Sequence, residues 1–101
     1  MFESKLESDC VALAESYGVP SIKLSGASDT GKPDRVFLFP YLSVYMEFKQ
    51  EGEPLRKLQG HWRGIIERLH LPYYVIDTPA AFDTAFRDCI RRSRDARSKQ
   101  P

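Results

Sequence analysis

Residues 43–49, Ser-Val-Tyr-Met-Glu-Phe-Lys, alternate in character along their whole length. In an extended chain Val44, Met46 and Phe48 fall on one side, and Tyr45, Glu47 and Lys49 on the other. Immediately upstream, Arg35–Phe39 (RVFLF) is an apolar β-prone run that ends at Pro40. Two such runs this close together predict an antiparallel hairpin turning across residues 40–42. Its apolar side needs a packed layer against it, and its other side presents a carboxylate and an ammonium two residues apart.

The remaining segments supply that layer. Residues 3–17 carry Leu6, Cys10, Val11, Leu13, Ala14 and Tyr17 at helical spacing, with Gly18 where a C-terminal cap belongs. Residues 19–24 are a short β-prone run, and residues 25–33 (SGASDTGKP) form a loop in which Gly26 and Gly31 serve the geometry. After a polar break at 51–54, residues 55–69 read as an amphipathic helix with Leu55, Leu58, Trp62, Ile65, Ile66 and Leu69 on its stripe. Trp62 is expected to pack in the core rather than stack on a base. Residues 73–76 form a last strand and 79–94 a last helix. The order αβββαβα, with strands grouped early, predicts a single α/β domain over 1–101 built on a mixed sheet flanked by helices.

Composition narrows the class. With 42% hydrophobic residues in 101, the chain can bury a core and is not a disordered segment. Cys10 and Cys89 fit no zinc or redox spacing, and His61 and His70, both expected on a helix surface, do not have the spacing of a helical metal pair. No apolar run approaches the ~20 residues that span a bilayer, so the expectation is a soluble cytoplasmic protein. The net charge is only +1, yet residues 87–101 hold six basic side chains against two acidic ones, ending in a basic tail at about 95–101. Such a tail suits either nucleic acid or plain solvation.

The chemistry gathers around the hairpin. Asp34 stands at the mouth of the first run, after Gly31-Lys32-Pro33, so a hairpin would bring it toward Glu47 and Lys49. Paired carboxylates are the usual protein ligands of Mg²⁺, and a neighbouring lysine can orient water or stabilise developing negative charge. A Glu-x-Lys on an exposed strand is also a common solvated pair. The first helix is expected to cross the Glu47 face and to deliver Glu3 and Glu7, one turn apart.

Taken together, Gly31-Lys32-Pro33-Asp34, Glu47-Phe48-Lys49 and Gln59 early in a helix resemble the PD-(D/E)XK nucleases, and within them the virus-type replication-repair nuclease (VRR-NUC) domain. The resemblance runs from about Glu3 to Asp77. It implies a restriction-endonuclease-like αβββαβ core with a C-terminal helix, Mg²⁺ with Mn²⁺ able to substitute, and cleavage of DNA. It carries Asp34 and Glu47 over as metal ligands with the Phe48 carbonyl and a helix glutamate, Glu3 or Glu7. Lys49 becomes the water- or phosphate-contacting lysine, and Gln59 an active-site polar residue. DNA contact is expected of Lys23, Lys32 and Arg35, and of Arg91, Arg92 and Arg94 on the last helix. A stand-alone domain of this kind, in a bacterial or phage-infected cell, is similar to homodimeric resolvases of four-way (Holliday) junctions. A flap or nicked-DNA repair nuclease and a non-catalytic DNA-binding module are the alternatives. The residue after Gly31 is Lys32, where the family more often has an apolar one.

Overall fold

The computed structural model describes residues 2–24 and 30–101. Its elements run α1 (Glu3–Ser16), β1 (Ser21–Lys23), β2 (Arg35–Phe39), β3 (Leu42–Phe48), α2 (Lys57–Arg68), β4 (Tyr73–Ile76) and α3 (Pro79–Ser98). The expected order is observed: a small α/β protein with a mixed sheet and three helices. Of the loop expected at 25–33, residues 25–29, with Gly26, lie outside the described residues.

The four strands lie in the order β1-β2-β3-β4. The first two pairings are antiparallel and the β3–β4 pairing is parallel. The predicted hairpin forms with Phe39 opposite Leu42, so Pro40 and Tyr41 alone make the turn. Proline fits the first of these positions, and Tyr41 takes a positive φ of 61° at the second, as type II turns require. Between β3 and β4 the chain crosses over through α2, as parallel strands require.

The alternation of β3 decides where the helices go. Val44, Met46 and Phe48 are fully buried and share a core with Phe37 and Phe39 of β2 and Ile76 of β4. Leu6, Cys10 and Ala14 of α1 cover this face together with Phe82, Ala85, Phe86 and Cys89 of α3. The first helix therefore lies on the side opposite Glu47, contrary to the sequence expectation. Its buried stripe is Leu6, Cys10 and Ala14, with Glu7 buried beside them in ion pairs to Lys23 and Arg35, and the Met46 face offers the apolar surface that matches the stripe. The helix ends as expected at Gly18, at φ 78°. There the Gly18 and Val19 amides bond the carbonyls of Glu15 and Ala14, closing the last turn and tucking Val19 into the core.

On the other face α2 leans on β4, with the Arg63 guanidinium 5.6 Å above the ring of Tyr73. Its apolar stripe is only partly covered: Ile66 is buried, whereas Leu58 and Leu69 are exposed. Trp62 is half-buried and lies outside the core cluster, contrary to the expectation of core packing, with its indole N–H donating to the Thr30 carbonyl at 3.1 Å. His61 sits on the helix surface as expected, but His70 falls beyond the helix end at φ 60°.

The last helix starts under a Thr78 cap, whose hydroxyl accepts the Ala81 amide, with Pro79 at its first position. It continues to Ser98 instead of stopping near Arg94, so most of the expected basic tail is helix. No glycine or proline interrupts it before Pro101, Arg91 pairs with Asp88 and Asp95 along its surface, and Ser93 Oγ anchors it to the Pro40 carbonyl.

One glycine fixes how α2 meets the start of β2. Gly31 has φ +76°, and a Cβ there would stand 2.4 Å from Leu58 Cβ and 2.6 Å from its backbone carbon. Both the torsion and the space exclude a side chain. Gly31→Ala is expected to lower stability by about 2–4 kcal/mol, measured by urea unfolding. A loss below ~0.5 kcal/mol would show that α2 does not seat on this turn.

Candidate functional site

The β2–β3 ladder ends with Arg35 opposite Met46. Extending that register by one residue sets Asp34 across from Glu47, on the face away from α1 and α3. The next amide directed at β2 is that of Phe48, which lies beyond the last paired residue of the ladder. Asp34 takes that place: its Oδ2 accepts the Phe48 N–H at 2.7 Å. The aspartate is thereby fixed by the end of the hairpin itself. Lys49 donates its amide to the Ile76 carbonyl at 2.9 Å, so the β3–β4 ladder continues one residue further and Lys49 keeps the alternation that puts it beside Glu47.

Two of the three side chains are removed from water. Glu47 is 2% and Lys49 3% exposed, and Asp34 is half-buried. Burial pushes the Glu47 carboxyl up to about 9, reinforced by its hydrogen bond to Asp34 and by the charge of Asp34, while Lys49 opposes the shift. Two carboxyls sharing a proton behave in this way. The second oxygen of Glu47, Oε1, is buried without a hydrogen-bond partner. A cation between Asp34 and Glu47 would satisfy that oxygen and relieve the repulsion, so the donor set suits a hard divalent metal.

The helix glutamates are placed differently from each other. Glu7 is buried and accepts ion pairs from Lys23 Nζ at 2.9 Å and Arg35 Nε at 2.7 Å. Its charge is spent on β1 and β2, on the apolar-core side of the sheet. Glu3, one turn earlier, lies nearer the pair: burial raises its carboxyl, followed by the charges of Asp34 and Glu53, with Lys49 opposing. Neither completes a cluster, for among the described residues no three His, Cys, Asp or Glu side chains come together closely enough to hold a metal. Gln59 is buried rather than on the open helix surface, and its Oε1 accepts the Arg56 amide at 2.8 Å, capping α2.

The expected DNA contacts separate into two groups. Lys23, Lys32 and Arg35 lie at the Asp34 end of the sheet, where Lys32 is exposed and Glu7 already neutralises much of the other two. Arg91, Arg92 and Arg94 flank Ser93, which is anchored at the Pro40 turn, so they sit at the opposite end of the hairpin, roughly 20 Å away by the rise of a strand. Arg91 and Arg92 both pair with Asp88, and Arg92 lies 5.7 Å over the ring of Tyr74. Arg94 is exposed and makes no ion pair among the described residues.

Two participants escape a reading of the sequence. Tyr73 faces the Glu47 side, because the parallel register pairs Tyr45 with Tyr73 and Glu47 with Val75. Nothing in the continuous apolar run YYVI signals that orientation. Glu53, in the polar break before α2, comes near Glu3 only through the fold. No protein-family model and no curated protein matches this sequence. Among the described residues, no helix is long and apolar enough to cross a membrane.

The raised Glu47 carboxyl has a thermodynamic sign. Unfolded, the group titrates near 4.5, and folded near 9, so between these pH values the native state holds a proton that the unfolded state has lost. In chelator, its contribution to stability is full below about pH 4.5 and declines as pH rises toward 9. Glu47→Gln is expected to flatten that decline and to stabilise the metal-free protein at pH 8 by on the order of 2 kcal/mol. Thermal unfolding across pH checks this, and an amide variant less stable than wild type at pH 8 would refute it.

Proposed function

We propose that this chain is a metal-dependent DNA endonuclease with a PD-(D/E)XK-type core, as its resemblance to VRR-NUC domains implies. The observation that carries the reading is the meeting of Asp34 and Glu47 across the end of the β2–β3 ladder, buried, with Lys49 two residues along the same strand. The element order and the mixed sheet support it. A purely solvated Glu-x-Lys pair would not be desolvated in this way, since burying unpaired carboxylates is costly without a compensating ligand.

Asp34, Glu47 and the Phe48 carbonyl would hold a divalent cation, Mg²⁺ with Mn²⁺ as substitute, and Glu3 is the nearer of the two helix glutamates to join them. Such an ion, when bound, would supply Lewis-acid activation of water and neutralise charge on the phosphodiester. The protein's own groups do the rest. The Phe48 amide holds Asp34 in one orientation, and β3 presents Glu47 and Lys49 on a rigid strand. The Lys49 ammonium would orient the attacking water and stabilise negative charge growing on the phosphate oxygens. Gln59 maintains the start of α2 beside the Gly31 turn and so shapes one wall of the site.

The substrate we infer is branched DNA, cut by a homodimer. Two symmetric incisions at a four-way junction need two active sites related by a two-fold axis. The basic groups at both ends of the hairpin would meet phosphates on separate arms, with Lys32 near the scissile bond and Arg94 remote from it.

Cleavage of junction, flap, nicked, duplex and single-stranded DNA is expected with Mg²⁺ or Mn²⁺, greatest on the junction, and none in chelator. Asp34→Asn, Glu47→Gln and Lys49→Ala should each lower the rate about 100-fold or more with the circular dichroism unchanged. If all three variants cut like wild type, the site is misassigned. A monomer by sedimentation at micromolar concentration that cuts flaps at single positions would replace the junction substrate with a flap.

A further inference from the structure

Glu47 Oε1 shares its lack of a partner with one other buried side-chain atom among the described residues, the hydroxyl of Tyr73. The two residues are close by construction. Glu47 pairs with Val75, so Tyr73 occupies the diagonal position on the adjacent strand and projects from the same face. Both are enclosed, at 2% and 7% exposure. The Arg63 guanidinium lies over the tyrosine ring, 5.6 Å from its centre.

A phenol is a donor and a carboxylate oxygen an acceptor, so the two orphaned atoms are complementary. Buried polar groups left short of a direct bond are ordinarily joined by an ordered water with two or more polar neighbours. Packing gives no reason for the hydroxyl, because phenylalanine would fill the same space under Arg63 and accept the same cation over its face. The oxygen is explained if it has something to hold.

We propose that Tyr73 is a positioning residue for Glu47: its hydroxyl donates to one buried water, which donates in turn to Glu47 Oε1. The carboxylate is then tethered from β4 on one side while Asp34 meets it from β2 on the other. The link is a property of the folded chain alone. Its consequence for metal affinity rests on the nuclease reading above.

The test separates the two. Unfolding midpoints in chelator are measured for wild type, Tyr73→Phe, Glu47→Met and the double variant. Tyr73→Phe is expected to lower the midpoint when Glu47 is present and to leave it unchanged or raise it beside Glu47→Met. If the hydroxyl is an unused buried group, its removal raises the midpoint equally in both backgrounds, and the proposal fails. Calorimetric titration with Mn²⁺ then reads the positioning. Tyr73→Phe should weaken binding about tenfold, as loss of an outer partner of a metal ligand commonly does. Coupled unfolding with unchanged Mn²⁺ affinity would reduce the contact to packing and overturn the positioning role. A wild type that takes up no Mn²⁺ overturns the nuclease reading instead, and the unfolding cycle alone then decides whether Tyr73 holds Glu47.

Discussion

The parity of β3 governs the rest of the molecule. Because side chains alternate across a strand, burying Val44, Met46 and Phe48 under two helices obliges Tyr45, Glu47 and Lys49 to face the other way. A one-residue slip would put a carboxylate and an ammonium into the phenylalanine core and Met46 into the site. The two-residue turn at Pro40 and Tyr41 pins the register, and the Asp34 bond to the Phe48 amide marks its end. The core and the charged site are two sides of one pairing decision, and neither can be altered without the other.

Much of this is legible in the sequence because it is local. The hairpin follows from alternation next to a proline, the end of α1 from Gly18, and the approach of Asp34 to Glu47 from the short connection between β2 and β3. What the sequence conceals is contact between elements far apart in the chain. The face that α1 covers depends on matching two apolar surfaces, and it came out opposite to expectation. That reversal turns Glu7 toward Lys23 and Arg35, leaving Glu3 as the helix carboxylate nearer Asp34. The seat of α3 on the sheet is marked by a bond from Ser93 to a turn fifty-three residues away in sequence. The orientation of Tyr73 depends on a parallel register that its own residues do not encode.

The site also runs against stability. A fully buried carboxyl facing a half-buried one is a poor choice for a core, and a leucine or glutamine in place of Glu47 would suit the metal-free fold better. Around it the protein is conventionally packed: aromatic rings of Phe37, Phe82 and Phe86 meet in tilted pairs at 5.5–6.0 Å, α3 starts under its Thr78 cap, and the last turn of α1 closes at Gly18. Local departures from good packing confined to one cluster are what a ligand-binding or reactive centre looks like in an otherwise consistent sequence.

The crossover between β3 and β4 has a consequence for the order in which the chain folds. The β2–β3 hairpin closes through two residues, whereas β4 must be carried back by residues 49–72, including the whole of α2, before it can pair. Pairings that close long loops form late. While the hairpin waits for β4, Asp34 and Glu47 are already opposite each other but still open to water on one side. The desolvation of the acidic pair therefore belongs to the last step of assembly. Raising the pH should retard the docking of β4 more than the nucleation of the hairpin.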